Sequence, residues 1–493
     1  MINPHSKDNL NHPEAVIATG NYKKGEIVEV KLLDLGDKNQ CYGQLQDGMS
    51  VFAQGPCAVG DTVKAVILKV KKRFLVSRMI EVVEPSPHRV EPQCAHFGVC
   101  GGCKWQHLKY TEQLRLKQKQ VRDALERIGK FRSPEIASCL PASELFGYRN
   151  KLVFSFGDNR SLTSKSANSR NERGFALGFH SSGNHAAVVN IDSCDIASEE
   201  MNIALKTTRT FCLKHKKRLP VYSSRSRVGE LRKLILRKGE YTGEFMVNIV
   251  TSTWQPKLMK EFSETLQSAL GGRLTTFVNN VSETRRVTAV GNREFTVYGP
   301  GYITDKLGEY VYRISANSFF QTNTVQAERL YLQILESARL KREDVVYDLY
   351  CGTGSITLFI ARHCRKVLAV EAAESSVLDA RENARRHGIE NCSFIKLDLR
   401  NIKNIQGKMR SFGKPNIIIT DPPRTGMHSE TVQTLLKIAP EIIIYVSCNP
   451  AFLARDGQML CGNGDYKLTH VQPVDMFPQT NHIESIARFE RAD

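Results

Sequence analysis

Val345-Val-Tyr-Asp-Leu-Tyr-Cys-Gly-Thr-Gly354 reads as a short buried strand running into a glycine turn, with a helix opening at Ser355. A strand this apolar, without strict alternation, belongs in a sheet covered on both faces. Gly352 and Gly354 let a ligand approach the backbone where a helix amino terminus begins. Four similar units follow. Lys366–Glu371 ends in an acid suited to two ribose hydroxyls, and Cys392–Asp398 places Asp398 to meet an adenine edge. Asn416–Thr420 runs into Asp421-Pro-Pro-Arg424, and Ile442–Ser447 delivers Cys448-Asn-Pro450 to a rim. Strands alternating with helical stretches predict an α/β fold with a parallel sheet, whose ligands bind at the carboxyl ends of the strands. Taken alone, Cys448 reads as a small inert core cysteine, since free cysteines are among the most buried residue types.

Upstream, the β-rich runs Ile27–Leu33, Gly43–Phe52 and Thr62–Val70 predict a small β-barrel. Lys69, Lys71, Lys72, Arg73 and Arg78 crowd its last strands, as a phosphate-binding surface or as a charged edge that discourages strand pairing. Glu84-Pro-Ser-Pro-His-Arg reads as a linker. Cys94-x5-Cys100-Gly-Gly-Cys103 then brings three thiols within ten residues, a spacing typical of a metal or cluster loop, and Cys194 is the candidate fourth ligand. Four thiolates suit zinc and an iron-sulfur cluster alike. Thr111–Gly129 is expected to be a helix with Leu114, Val121, Leu125 and Ile128 on its buried stripe and a basic, solvent-facing opposite side. Tyr148–Phe154, Leu231–Arg237 and Glu244–Val250 alternate as strands, Gly157–Gly174 is a polar loop, and Lys214–Arg237 is a dense basic stretch around Tyr222 that suits RNA or plain solvent.

The chain has 493 residues, enough for about three domains, and 69 Lys and Arg against 51 Asp and Glu give a formal charge of +18 that favours a polyanionic partner. No apolar run is long enough to span a bilayer, Met1–Gly20 has no signal-peptide core, and the 13 cysteines are unevenly spaced, so a reducing, cytoplasmic setting without a membrane partner is expected. Nothing fixes the oligomeric state; a monomer is the working expectation.

The glycine turn and Glu371 also fit a nicotinamide-binding domain, but the third glycine of G-x-G-x-x-G is missing. Asp421-Pro-Pro occupies the corner that in methyltransferases lies beside the transferred methyl, and Arg424 stands where an aromatic would suit an amino-nitrogen acceptor. Cys448 offers different chemistry. Carbon 5 of uracil is a poor nucleophile until a thiolate adds to carbon 6; a base must later take the carbon 5 proton. Glu484 is the candidate base, with His482 a weaker contender, and Arg424 is expected to lower the pKa of Cys448.

These residues together resemble the bacterial 23S ribosomal RNA uracil-5-methyltransferases that carry a 4Fe-4S cluster, over nearly the whole chain. The resemblance implies an α/β protein with a TRAM/OB-like β-barrel over residues 20–84, a central α+β iron-sulfur domain over 85–310 and a Rossmann-like class I methyltransferase domain over 311–493. It implies S-adenosyl-L-methionine held by Gln321, Tyr350, Ser355, Glu371 and Asp421, a target base near Phe319 or Phe320, Cys448 as nucleophile and Glu484 as base. It also implies a 4Fe-4S centre on Cys94, Cys100, Cys103 and Cys194, and 23S rRNA as partner. Alternatives are a tRNA uracil-5-methyltransferase, a cluster-containing nicotinamide oxidoreductase and a noncatalytic RNA-binding protein.

Overall fold

The computed structural model describes residues 21–36, 39–161, 171–223, 225–284, 287, 291–400, 407 and 411–492. The chain divides into two compact units, Met1–Pro92 with Lys104–Lys109, and Gln93–Cys103 with Tyr110–Asp493.

The first unit is a closed barrel of β1 (Ile27–Leu35), β2 (Cys41–Gln44), β3 (Ser50–Gln54), β4 (Thr62–Val70) and β5 (Phe74–Glu84), in the order β1-β2-β3-β5-β4. Strict alternation builds it: Val63, Ala65 and Ile67 of β4 point inward with Val28, Val30 and Leu32 of β1. Lys69, Lys71, Lys72, Arg73 and Arg78 are all exposed. The segment read as a linker is anchored instead, because the buried Asp61 carboxylate accepts from Ser86 N–H at 2.9 Å and from Arg89 Nε at 2.7 Å.

The second unit carries two large sheets. In the first, β6 (Lys151–Ser161), β7 (Asn171–Gly178), β8 (His180–Ser181), β9 (Asn184–Val189), β10 (Leu231–Lys238), β11 (Phe245–Thr251), β12 (Leu274–Val281) and β13 (Arg293–Tyr298) take the order β13-β12-β11-β10-β6-β9-β8, with β7 paired to β6. Much of the predicted polar loop is therefore hairpin, and its tip, residues 162–170, lies outside the described residues. Leu152, Phe154, Leu234, Leu236, Val247 and Ile249 pack against α2 (Glu199–Lys214) and α3 (Pro256–Leu270). A hairpin of β14 (Tyr302–Leu307) and β15 (Tyr310–Ser315) leads onward.

The other sheet contains β16 (Val345–Leu349), β17 (Lys366–Glu371), β18 (Cys392–Lys396), β19 (Ile417–Thr420), β20 (Ile442–Ser447), β21 (Tyr466–Val474) and β22 (Glu484–Arg491) in the order β18-β17-β16-β19-β20-β22-β21. The first five are parallel and β22 runs antiparallel to both neighbours. Order reverses between β16 and β19, the switch point at which such sheets bind ligands. One face packs Val346, Ile417 and Ile444 against α4 (Thr324–Ala338), α5 (Ser355–Ala361) and α6 (Glu374–Arg386). The other packs Tyr347, Ile418 and Tyr445 against α7 (Ser429–Ile438) and α8 (Pro450–Cys461), joined by α1 (Tyr110–Arg127). Val121 and Leu125 of α1 are buried as expected, whereas Ile128 is exposed and Lys117, on a side expected to face solvent, is fully buried.

Candidate active site

Cys448 follows the last residue of β20, and Asn449 caps α8, its side chain accepting from Ala451 N–H at 3.1 Å with Pro450 in the first turn. This strand-to-helix break sets the half-buried thiol at the carboxyl edge of the sheet. Ser447 pairs with Ser485 across β20 and β22, so one residue beyond on each strand stand Cys448 and Glu484. Asp421 leaves the end of neighbouring β19, and its N–H reaches Leu349 O of β16 at 3.3 Å. Asn449 Nδ2 donates to Arg424 O at 3.3 Å, tying the Asp-Pro-Pro-Arg turn to the cysteine corner.

These groups act on one another. Burial, then Asp421, pushes Glu484 well above the usual carboxylate range, while Arg424 pulls it down. Desolvation raises Asp421 to about 7. Cys448 is raised to about 11, by burial first and then by the charge of Glu484; Arg424 lowers it, as anticipated, but is outweighed. The expected lowered thiol pKa is thus corrected: one cation faces two carboxyls and a desolvated sulfur. His482 contributes its N–H to Thr480 Oγ1 at 3.2 Å, and its ring packs edge-on to Phe477.

The glycine turn lies at the same edge. Tyr350, Gly352 and Gly354 have φ of 63°, 55° and 80°, so a non-glycine residue holds the left-handed region beside two glycines. A Cβ on Gly354 would stand 3.0 Å from Leu358 and 3.1 Å from Ala380. Glu371 accepts from Gly352 N–H at 3.1 Å and from the N–H groups of Ala372 and Ala373 at 2.8 Å each. Ser355 Oγ is 2.9 Å from Tyr331 Oη. Gln321 is buried, and its carbonyl accepts from Asn150 Nδ2 at 2.7 Å. Phe319 is 58% exposed, whereas Phe320 is 3% exposed and packs on Tyr312, so Phe319 is the ring available to a ligand. Asp398 is half-buried and its carboxylate is engaged by Arg400 at 2.6 Å.

Two acids were missed in the sequence. Asp348, alone in an apolar strand, is fully buried, accepts from Thr357 Oγ1 with one oxygen and leaves Oδ1 without a partner; desolvation raises it to about 7. Asp456 on α8 is fully buried and accepts from Met427 N–H at 2.8 Å and Tyr445 Oη at 2.7 Å, fixing the far end of the turn that carries Arg424.

Cys94, Cys100 and Cys103 are half-buried and lie near buried Cys194, whose thiol is raised by desolvation and by their charges. Among the described residues, no group of three or more His, Cys, Asp or Glu side chains is arranged to hold a metal ion. Spacing along the chain fixes separation, not convergence of the sulfur atoms. Gly101 has another reason to be glycine: its N–H donates to His180 O at 2.9 Å, and a Cβ there would sit 2.6 Å from that oxygen.

The tRNA (uracil-5-)-methyltransferase family pattern matches residues 286–492, and the TRAM domain pattern matches residues 22–80. An uncharacterized RNA methyltransferase of Chlorobaculum tepidum is 47% identical over 96% of this chain and 98% of its own. The chain belongs to the RNA (uracil-5-)-methyltransferase family. A second uncharacterized RNA methyltransferase, from Clostridium acetobutylicum, is 34% identical over 96% of this chain and 98% of its own. The solved Pyrococcus abyssi tRNA (uracil-54, C5)-methyltransferase, in complex with S-adenosyl-L-homocysteine, superposes with a TM-score of 0.70 at 27% identity, covering 94% of this chain and 100% of its own. The resemblance to cluster-bearing 23S ribosomal enzymes is corrected accordingly: the solved relative acts on tRNA, and the described residues hold no metal-binding group. The TRAM-like barrel and the Rossmann-like methyltransferase fold stand. Among the described residues no helix is long and apolar enough to cross a membrane.

Proposed function

We propose that this protein methylates carbon 5 of a uridine in tRNA, using S-adenosyl-L-methionine and a transient bond between Cys448 and the base. The single observation carrying this reading is the convergence of Cys448, Glu484, Asp421 and Arg424 at one sheet edge. The tRNA substrate of the Pyrococcus abyssi relative supports the choice of RNA. The functional division we propose is residues 20–84 for RNA binding, 85–310 as a central domain and 311–493 for chemistry.

The residues present fit a cationic sulfonium ligand. Asp348 has an orphaned buried oxygen, Asp421 is desolvated, and the Gly352–Gly354 turn opens the backbone. Gln321, Tyr350, Ser355 and Glu371 would hold the nucleoside and amino-acid parts; Asp398, paired with Arg400, would have to exchange that partner to meet adenine. When bound, S-adenosylmethionine supplies an electrophilic methyl group.

Cys448 Sγ, once deprotonated, adds to carbon 6 of a flipped uracil that stacks on Phe319. The ring electrons move to an enolate, whose carbon 5 would take the methyl group as the sulfonium carbon–sulfur bond breaks and S-adenosyl-L-homocysteine leaves. Glu484 then accepts the carbon 5 proton, the carbon–sulfur bond breaks, and the double bond and thiolate return. Arg424 favours the anionic forms of both Cys448 and Glu484.

Mapping 5-methyluridine in tRNA and rRNA of cells lacking the gene, complemented with wild type, Cys448→Ala or Glu484→Gln, tests the reading. A tRNA site should lose its methyl group and regain it only with wild type, and Glu484→Gln should leave protein covalently bound to RNA. Unchanged tRNA methylation in the deletion would sink the proposal.

A further inference from the structure

The central sheet has one face closed by α2 and α3, and its other face sets Lys151, Lys233 and Arg237 beside buried Ile235, Met246 and Asn248. On that face, Arg237 of β10 pairs directly with Lys151 of β6, Ile235 with Val153 and Lys233 with Ser155. Like charges opposite each other on antiparallel strands are destabilising, and half-buried cations without counter-ions cost more. The fold nonetheless keeps Arg149, Lys151 and Arg237 together, with Arg149 Nε donating to Lys151 O at 3.2 Å. Among the described residues, no carboxylate forms an ion pair with Arg149, Lys151, Lys233 or Arg237. Arg237 is 3% exposed and its Nε has no partner. Burial, then Arg237 and Arg149, lowers Lys151 to about 7, which an approaching anion would reverse.

This cluster adjoins the ring assigned to the target base. Arg237 donates to Ser318 O, the residue before exposed Phe319. Asn317 Nδ2 donates to Asn280 Oδ1 at 3.1 Å, and Asn280 Nδ2 to Asn248 Oδ1 at 3.0 Å, so the segment is tied across the same face. Arg149 also lies over the Phe477 ring at 5.3 Å, on the turn that leads to Glu484. We infer that half-buried Arg149 and Lys151, with the charge of buried Arg237 behind them, bind a backbone phosphate of the RNA beside the flipped uridine. Only the identity of that nucleotide rests on the uracil-methylation reading.

The test uses full-length Cys448→Ala protein, which forms no covalent complex, and an unmodified tRNA transcript whose binding is measured across salt. Arg149→Gln and Lys151→Gln should each weaken binding and lower the slope of log affinity against log salt by about 1, while Lys151→Arg keeps it. Arg237 is left intact because it also holds Ser318. Ethylation interference on the transcript reads the same contact from the RNA side: one phosphate next to the target should block binding to the Cys448→Ala protein when ethylated, and that block should vanish when Lys151→Gln is added. Unchanged affinity and slope when Arg149→Gln and Lys151→Gln are combined, absence of any sensitive phosphate, or loss of S-adenosylmethionine affinity in place of RNA affinity would overturn the inference. Wild-type protein that binds the transcript with this footprint yet forms no 5-methyluridine would leave the site standing and remove the function proposed above.

Discussion

Lys117 and Asp475 form an ion pair in which neither side chain reaches solvent. Asp475 also accepts from Tyr110 Oη and from Phe477 N–H, each at 3.0 Å, and Lys117 donates to Phe477 O at 3.0 Å. One turn away on α1, Gln113 exchanges two hydrogen bonds of 3.0 Å with Gln479, whose φ is 68°. Helix α1 therefore fixes the turn between β21 and β22, and that turn sets where Glu484 begins its strand.

Replacing Lys117 with Met strands a buried carboxylate and should cost about 3–5 kcal/mol in denaturant unfolding, because breaking a buried pair leaves one charge uncompensated. Lys117→Met with Asp475→Leu removes both charges and should recover much of that loss. If the single and double variants were equally destabilised, the pair would not be the source of the penalty.

The raised Cys448 thiol has a kinetic signature. With half-ionisation at about 11, alkylation of Cys448 in the RNA-free protein, followed by peptide mapping, should keep accelerating by about tenfold per pH unit up to pH ~9. Arg424→Ala removes the side-chain charge that lowers this thiol, so its alkylation should be slower at each pH. A plateau near neutrality would contradict the environment described.

Asp421 and Glu484 carry raised carboxyl pKa values, so folding is linked to pH. From the ordinary carboxyl values of 3.8 and 4.5 up to the raised ones, the native chain keeps protons that the unfolded chain has released. Their contribution is most favourable below that window and declines as pH rises through it. Asp421→Asn or Glu484→Gln should thus raise stability at pH 8 by on the order of 1–3 kcal/mol while activity is lost, and flatten the melting temperature against pH. A destabilised Asp421→Asn protein at pH 8 would refute this.

The sheet was legible in the sequence because its signals are local. Each strand from Val345 to Ser447 is an apolar run with a motif at its end, and Cys448 and Glu484 fall on adjoining strands once the order is known. Lys117 was not legible, since its partner lies 358 residues away and an isolated basic residue on a helix reads as solvent-facing. The cysteine loop misled for the opposite reason: Cys94, Cys100 and Cys103 have a suggestive spacing, and spacing does not report whether side chains converge on an ion. Asp348 was visible as a lone acid in a buried strand, and burial is the signal that could have flagged it.

Asp456 is the least conspicuous residue with a strong expected effect. Its carboxylate meets Met427 N–H, Tyr445 Oη and Arg455 Nε, and Arg455 in turn donates to Met427 O at 2.9 Å, so the turn after Arg424 hangs on one buried anion. Gly426 has φ of 72°, and a Cβ there would stand 2.7 Å from Asp456 Oδ2. Asp456→Asn keeps the shape but cannot accept from every donor, and should cost about 1–3 kcal/mol with a larger fall in kcat than in RNA affinity, because Arg424 and Asp421 shift while the basic face does not. Gly426→Ala pushes the turn by a different contact and should give the same kinetic pattern. If either variant lost RNA binding and kept kcat, the turn would be serving the RNA and not the cysteine corner.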